Sequence, residues 1–245
     1  MRFLSGLGSR RAICLDWDAR TLRAVDATVG RGGVRVHNAV QTPIPADVQI
    51  AAADSLGGFI RKTLNEAGMR SGSLVVDVPR QDAVLNQILL PPTAEHELAA
   101  MVRFQIGKEL PFAMDQGVVD FAVLGTSEAD GKSMQILVAA IRKHVLEYYQ
   151  AVAEAAGLEL GRVGLRPFAN VTALTKNGEN QKGRVVLVDV GPTMTEIDVL
   201  RNGRLVFSRA ATVSVQPVRP VEDGEKKRAD VIPFLGSSGA SMAEE

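Results

Sequence analysis

Two distant stretches of the chain repeat one pattern, and that repeat constrains the fold more than any other feature. The first reads ICLDWDARTLRAVDA, then a turn with Gly30, Gly32 and Gly33, then VRVHNAV. The second reads VVLVDVGPTMTEIDVL, then Asn202-Gly203, then RLVFSRA. Each copy predicts a strand ending in aspartate, a tight turn, a second strand and a third. Asp16 and Asp189 hold equivalent places. Asn-Gly is a strong hairpin signal, because both positions of a type I′ turn need positive φ. An aspartate at a strand end, before a small-residue turn, suits a nucleotide site. Turn amides reach phosphate oxygens, and the carboxylate holds the waters of a magnesium ion. The plainer alternative is that each aspartate only terminates its strand.

Composition removes several classes of function. The 245 residues are 46% hydrophobic and 23% charged, enough for a sizeable core. Lys+Arg and Asp+Glu both number 28, so no global charge recruits nucleic acid. The single cysteine, Cys14, forms no internal disulfide and no multi-thiolate zinc site, and in its strand it reads as a small buried hydrophobe. His37, His96 and His144 have no metal-ligand spacing. No GxSxG, GxxxxGK[ST] or post-strand GxGxxG occurs. No apolar run approaches the ~18–20 residues that span a bilayer. Residues 1–11 carry three arginines but no signal-peptide core. They read as a frayed basic end, with weak membrane-surface contact through Phe3, Leu4 and Leu7 as the alternative.

Periodicity divides the chain. Strands are expected over 12–17, 21–27 and 34–40, then a helix over 54–67 with Gly68 as its C′ residue, then a strand over 74–78. A strand over 83–90 follows. Thr93 is the expected cap of a helix to about Leu110, with Leu98, Met101, Val102 and Ile106 at helical spacing. Strands over 118–124 and 134–141 complete a small α+β unit. A helix over 142–156, a strand over 158–165, a helix from Pro167 to about Thr175, and strands over 184–190, 195–200 and 205–209 come next. Pro217, Pro220, Pro233 and charge clusters mark 216–245 as a disordered tail.

The duplicated pattern resembles the actin-like ATPase superfamily, in which two such hairpins embrace the nucleotide phosphates. Its motif is Asp, any residue, Gly, then hydroxyl residues. The second copy fits, with Asp189, Gly191, Thr193 and Thr195. The first departs from it: Asp18 stands where glycine is expected, followed by Ala19 and Arg20, leaving Asp16 and Thr21. A side chain there limits backbone approach to phosphate, and a second carboxylate repels it.

The middle of the chain narrows the resemblance to the type IV pilus assembly protein PilM family. Glu109, Leu110, Pro111 and Phe112, then Asp120 and Phe121, follow an acidic helix. Ala139, Ala140, Arg142 and Lys143 lead into a helix ending Glu154, Ala155, Ala156, Gly157 and Leu158. The cytoplasmic domain of the type II secretion protein GspL is the nearest competitor.

The resemblance implies an α/β fold: an actin-like (ribonuclease H-like) lobe with an inserted small α+β subdomain and a partial second lobe. Residues 12–82 would begin the first lobe, 83–141 form the insertion, 142–176 complete the lobe, and 184–215 start the second. Further helices and strands that complete the second lobe and supply an adenosine pocket are expected of the family. They are not read after residue 216, so the chain reads as a fragment or a degenerate member.

The implied function is a cytoplasmic scaffold of type IV pilus assembly, peripheral at the inner membrane. It would bind the cytoplasmic segment of an inner-membrane pilus protein. The alternatives are an actin-like ATPase or kinase, and a GspL-like domain. The implied cofactor is ATP with magnesium, at Asp16, Thr21, Asp189, Gly191 and Thr193, with Asp16 and Asp189 holding the metal through its waters. The altered first turn argues against catalysis and leaves an incomplete ATP site. No nucleic-acid partner is expected, and oligomerisation stays open.

Overall fold

A computed structural model describes residues 10–30, 33–69, 72–127, 129–176 and 183–213. Strands β1 (Arg10–Trp17), β2 (Thr21–Gly30) and β3 (Gly33–Pro43) form an antiparallel meander. Helix α1 (Ala53–Glu66) then crosses to β4 (Ser73–Val78), which pairs with β1 in parallel. Gly68 ends α1 as the C′ residue with φ of 70°. Met69 N–H donates to the Leu64 carbonyl and Gly68 N–H to that of Asn65, the paired bonds of a Schellman motif.

The next block builds its own sheet. Strand β5 (Ala83–Leu90) is followed by α2 (Glu95–Ile106), β6 (Gly117–Thr126) and β7 (Met134–Arg142). All pairings are antiparallel, in the order β5-β7-β6. Leu98, Val102 and Ile106 of α2 pack on Ile88, Leu90, Ile136 and Val138. Two expectations need correction. Thr93 is not the cap: Ala94 holds that position, and the Thr93 hydroxyl donates instead to the Pro91 carbonyl at 2.7 Å. The helix also stops at Ile106, with Gly107 as its C-cap, short of Leu110. Glycine favours an early end, and the turn beyond it returns Leu110 and Met114 to the same core.

Helix α3 (Lys143–Ala156) ends at Gly157, whose φ is 74°, and leads to β8 (Glu159–Leu165) beside β4. The main sheet therefore runs β3-β2-β1-β4-β8, with its last two pairings parallel. Alternation along β1 sends Ile13 and Leu15 to one face, where α1 and α3 cover them together with Leu22 and Leu74. Full burial of each such side chain is worth roughly 1.5–3 kcal/mol. Cys14 points the other way and is exposed, contrary to the buried reading.

Helix α4 (Arg166–Lys176) connects to a third sheet of β9 (Arg184–Val190), β10 (Thr195–Arg201) and β11 (Arg204–Ala211). Its order is β11-β10-β9, antiparallel throughout. Asn202 and Gly203 turn the β10–β11 hairpin, both with positive φ. The architecture is α/β with an actin-like lobe, and the third sheet repeats the β1-β2-β3 meander. The expectations for 1–9 and for the tail at 216–245 lie outside the described residues.

Candidate functional site

The repeat brings both of its aspartates to one cleft of about 830 Å³. The ends of β1 and β4, the first turns of α4, and the loop from β9 to β10 line it. Asp16, Asp189, Gly191 and Thr193 all face this space. Thr21 does not line it. Thr195, the other hydroxyl residue of the second motif, is buried, and its side chain donates to the Val213 carbonyl at 2.7 Å.

The carboxylates are already engaged. Asp16 Oδ1 accepts from Arg166 Nη2 at 2.9 Å, and its Oδ2 accepts from Arg23 Nη1 at 3.1 Å. Asp18 Oδ1 accepts the backbone N–H groups of Arg20 at 2.7 Å and Thr21 at 2.9 Å, while Oδ2 takes Arg23 Nη2 at 3.0 Å. Arg166, the first residue of α4, also reaches Glu196 Oε1 at 3.3 Å. It thereby ties β1 to β10. Arg80 adds a second tie: its N–H donates to Glu196 Oε1 at 2.9 Å, and its Nε donates to the Ser208 carbonyl at 3.1 Å.

Sequence reasoning missed Arg166, Arg23, Arg80 and Glu196. Glu196 and Asp198 had a signal. They alternate with Ile197 and Val199 along β10, which puts two acids on one face of a strand. That face is buried. Burial raises the Glu196 pKa, although the Arg80 N–H and the Arg166 guanidinium oppose the rise. Burial would lower the Arg166 pKa, but Asp16 and Glu196 outweigh it and the net direction is up. Asp77 is pushed up by burial and then by Asp16, against Arg166. Asp82, which also lines the cleft, is pushed up by burial.

Trp17 lies on the cleft wall and packs at 5.4 Å, centroid to centroid, on Tyr149. Glu196 Oε2, Asp198 Oδ1 and Ser208 Oγ are buried without a protein partner. Among the described residues no cluster of metal ligands forms.

These residues fit a nucleotide poorly. The cleft has the volume, but six carboxylates line it (Asp16, Asp18, Asp77, Asp82, Asp189, Glu196) against two guanidinium groups (Arg23, Arg166). The amides of the first turn are spent on Asp18. In the second turn the Gly191 N–H donates to the Met194 carbonyl at 2.9 Å. A Cβ on Gly191 would meet that oxygen at 2.8 Å, so glycine serves the turn itself.

The sequence profile of the family described as "Type IV pilus assembly protein PilM" matches residues 14–214. Among solved structures, a chain of a "PilM-PilN type IV pilus biogenesis complex" superposes with a TM-score of 0.70 at 23% identity. The match covers 84% of this chain and 62% of that one. The cytoplasmic domain of EpsL, an inner membrane component of the type II secretion system of Vibrio cholerae, gives a TM-score of 0.51 at 15% identity. That match covers 82% of this chain and 71% of the other. This chain thus spans less than two thirds of the length of the chain it matches in the PilM-PilN complex.

Proposed function

The chain belongs to the type IV pilus assembly protein PilM family, and from that premise we propose that it is a cytoplasmic scaffold that binds a short segment of an inner-membrane pilus protein. The supporting relative was solved in a complex described as PilM with PilN. The observation that carries the reading is the open edge of the β5-β7-β6 sheet. Among the described residues strand β6 pairs only with β7, and it exposes Val118 and Val123 beside that edge. On α2, Phe104 is 71% exposed, with Lys108 Nζ 4.2 Å from its ring centroid. An extended, partly apolar peptide added along β6 would gain main-chain bonds and cover Val118 and Val123.

Neither the cleft at Asp16 nor the groove between β3 and α1 draws a lining residue from 83–141. A peptide bound on the inserted unit would therefore lie outside both. The protein would be peripheral at the inner membrane through such a partner. Among the described residues no helix is long and apolar enough to cross a membrane.

The test is a fluorescence titration with N-terminal peptides of inner-membrane pilus proteins. Saturable binding is expected, weakened by Val118→Lys and Val123→Lys with the melting curve unchanged. No binding by a folded sample, beside a complete family member that does bind, refutes the scaffold reading.

A further inference from the structure

On the resemblance to the actin-like superfamily, a nucleotide would present anionic oxygens to the turn amides, and Asp16 and Asp189 would hold its metal through waters. Here the chain supplies both charges itself. The amides of Arg20 and Thr21 converge on Asp18 Oδ1, as they would on an anion held in a backbone nest. A carboxylate already bound this way leaves those donors nothing to offer a phosphate. Its second oxygen is paired with Arg23, which also holds Asp16. On the other side, Arg166 sits between Asp16 and Glu196 at 2.9 and 3.3 Å. Arg166 so puts a fixed positive charge between the two aspartate-bearing hairpins.

We infer that the cleft is held shut to magnesium nucleotide by its own ions, with Asp18 in the place of a phosphate oxygen and Arg166 in the place of the metal. The inference does not rest on the scaffold reading. Three observations carry it together. The Asp18, Arg20, Thr21 and Gly191 amides all have partners inside the chain. Both oxygens of Asp16 are taken by arginine. Arg166 joins β1 to β10, and it needs no ligand to do so. Entry of a triphosphate would have to break the Asp18 contacts and then face that displaced carboxylate at close range, where repulsion is strong. The relation of the two hairpins is thereby fixed without nucleotide, and any partner of the chain reads a geometry that ATP does not alter.

The experiment is titration of the whole chain with ATP and, separately, with tripolyphosphate, each with magnesium, followed by calorimetry and by backbone amide resonances. For the wild type, no saturable heat and no movement of the Arg20, Thr21 and Gly191 resonances are expected at millimolar ligand. Asp18→Gly frees two amides and removes the charge, so a gain of about tenfold or more in tripolyphosphate affinity is expected. Asp18→Asn keeps an oxygen on the same amides and should gain less than Asp18→Gly. Micromolar binding by the wild type, or shifts of those three resonances on adding ATP, overturns the inference. So does a folded Asp18→Gly protein with no gain. Should Asp18→Gly fail to fold, the wild-type resonances decide alone.

Discussion

Two groups of carboxylates pull the stability of this protein in opposite directions as pH changes. Asp77, Asp82 and Glu196 have pKa values raised chiefly by burial. For an acid whose folded pKa lies above its unfolded value, the folded state binds more protons in the window between the two. Stability therefore rises as pH falls through that window toward the ordinary carboxylate range near about 4. Asp26 behaves oppositely. It is buried, Arg11 Nε donates to its Oδ1 at 2.9 Å, and that bond lowers its pKa. Its contribution is complete above the unfolded value and is lost as pH falls through the depressed folded value. The melting temperature should thus climb modestly as pH falls from neutrality toward the ordinary carboxylate range and then drop in stronger acid. Asp77→Asn should raise it near neutrality and flatten the upper limb. Thermal melts across that range check the sign, and a slope unchanged by Asp77→Asn would remove Asp77 as a source.

At the scale of elements, neighbouring glycines of α1 make opposite demands. A Cβ on Gly57 would lie 2.4 Å from the Ala155 Cβ and 2.8 Å from the Val152 carbonyl oxygen, so the helix crossing with α3 depends on its absence. A Cβ on Gly58 meets nothing within 4 Å. Gly57→Ala should cost about 1–3 kcal/mol, the usual range for overpacking, while Gly58→Ala should gain up to about 1 kcal/mol from helix propensity. Chemical denaturation of both variants reads the difference, and equal effects would contradict the close crossing. The pattern of apolar residues in α1 was legible in advance, as was Gly68 at its end, because both are set by local geometry. The identity of the tight glycine was not, since Gly57 and Gly58 differ only in what α3 brings against them. Thr93 failed as a cap because the helix begins one residue later, with Ala94 in the cap position and no side chain there to make the bond.

For the whole molecule, the repeat was legible and its consequences were uneven. It foretold that Asp16 and Asp189 would share one cleft, and it missed Arg166, which stands 150 residues from its partner Asp16. Nothing local in Arg166-Pro167 signals an ion pair at that distance. The same repeat exposes an asymmetry between the sheets. Aligning Asp16 with Asp189 sets Ile13 and Leu15 opposite Val186 and Val188. The first pair is 0% and 3% exposed beneath α1 and α3, and the second is 59% and 54% exposed. Val190 and Phe207 extend that bare face, and β9, paired with β10, has an open outer edge among the described residues. An apolar face that continues to an open edge favours association. The isolated chain should self-associate as its concentration rises, with β9 edges meeting antiparallel. Val188→Lys places a charge on the face at little cost to folding, within about 0.5 kcal/mol for an exposed site. Sedimentation velocity should then show a weight-average mass that grows with concentration for the wild type and stays monomeric for Val188→Lys, with matching unfolding curves. A wild type that is monomeric throughout would mean that the exposed valines do not drive pairing at this edge.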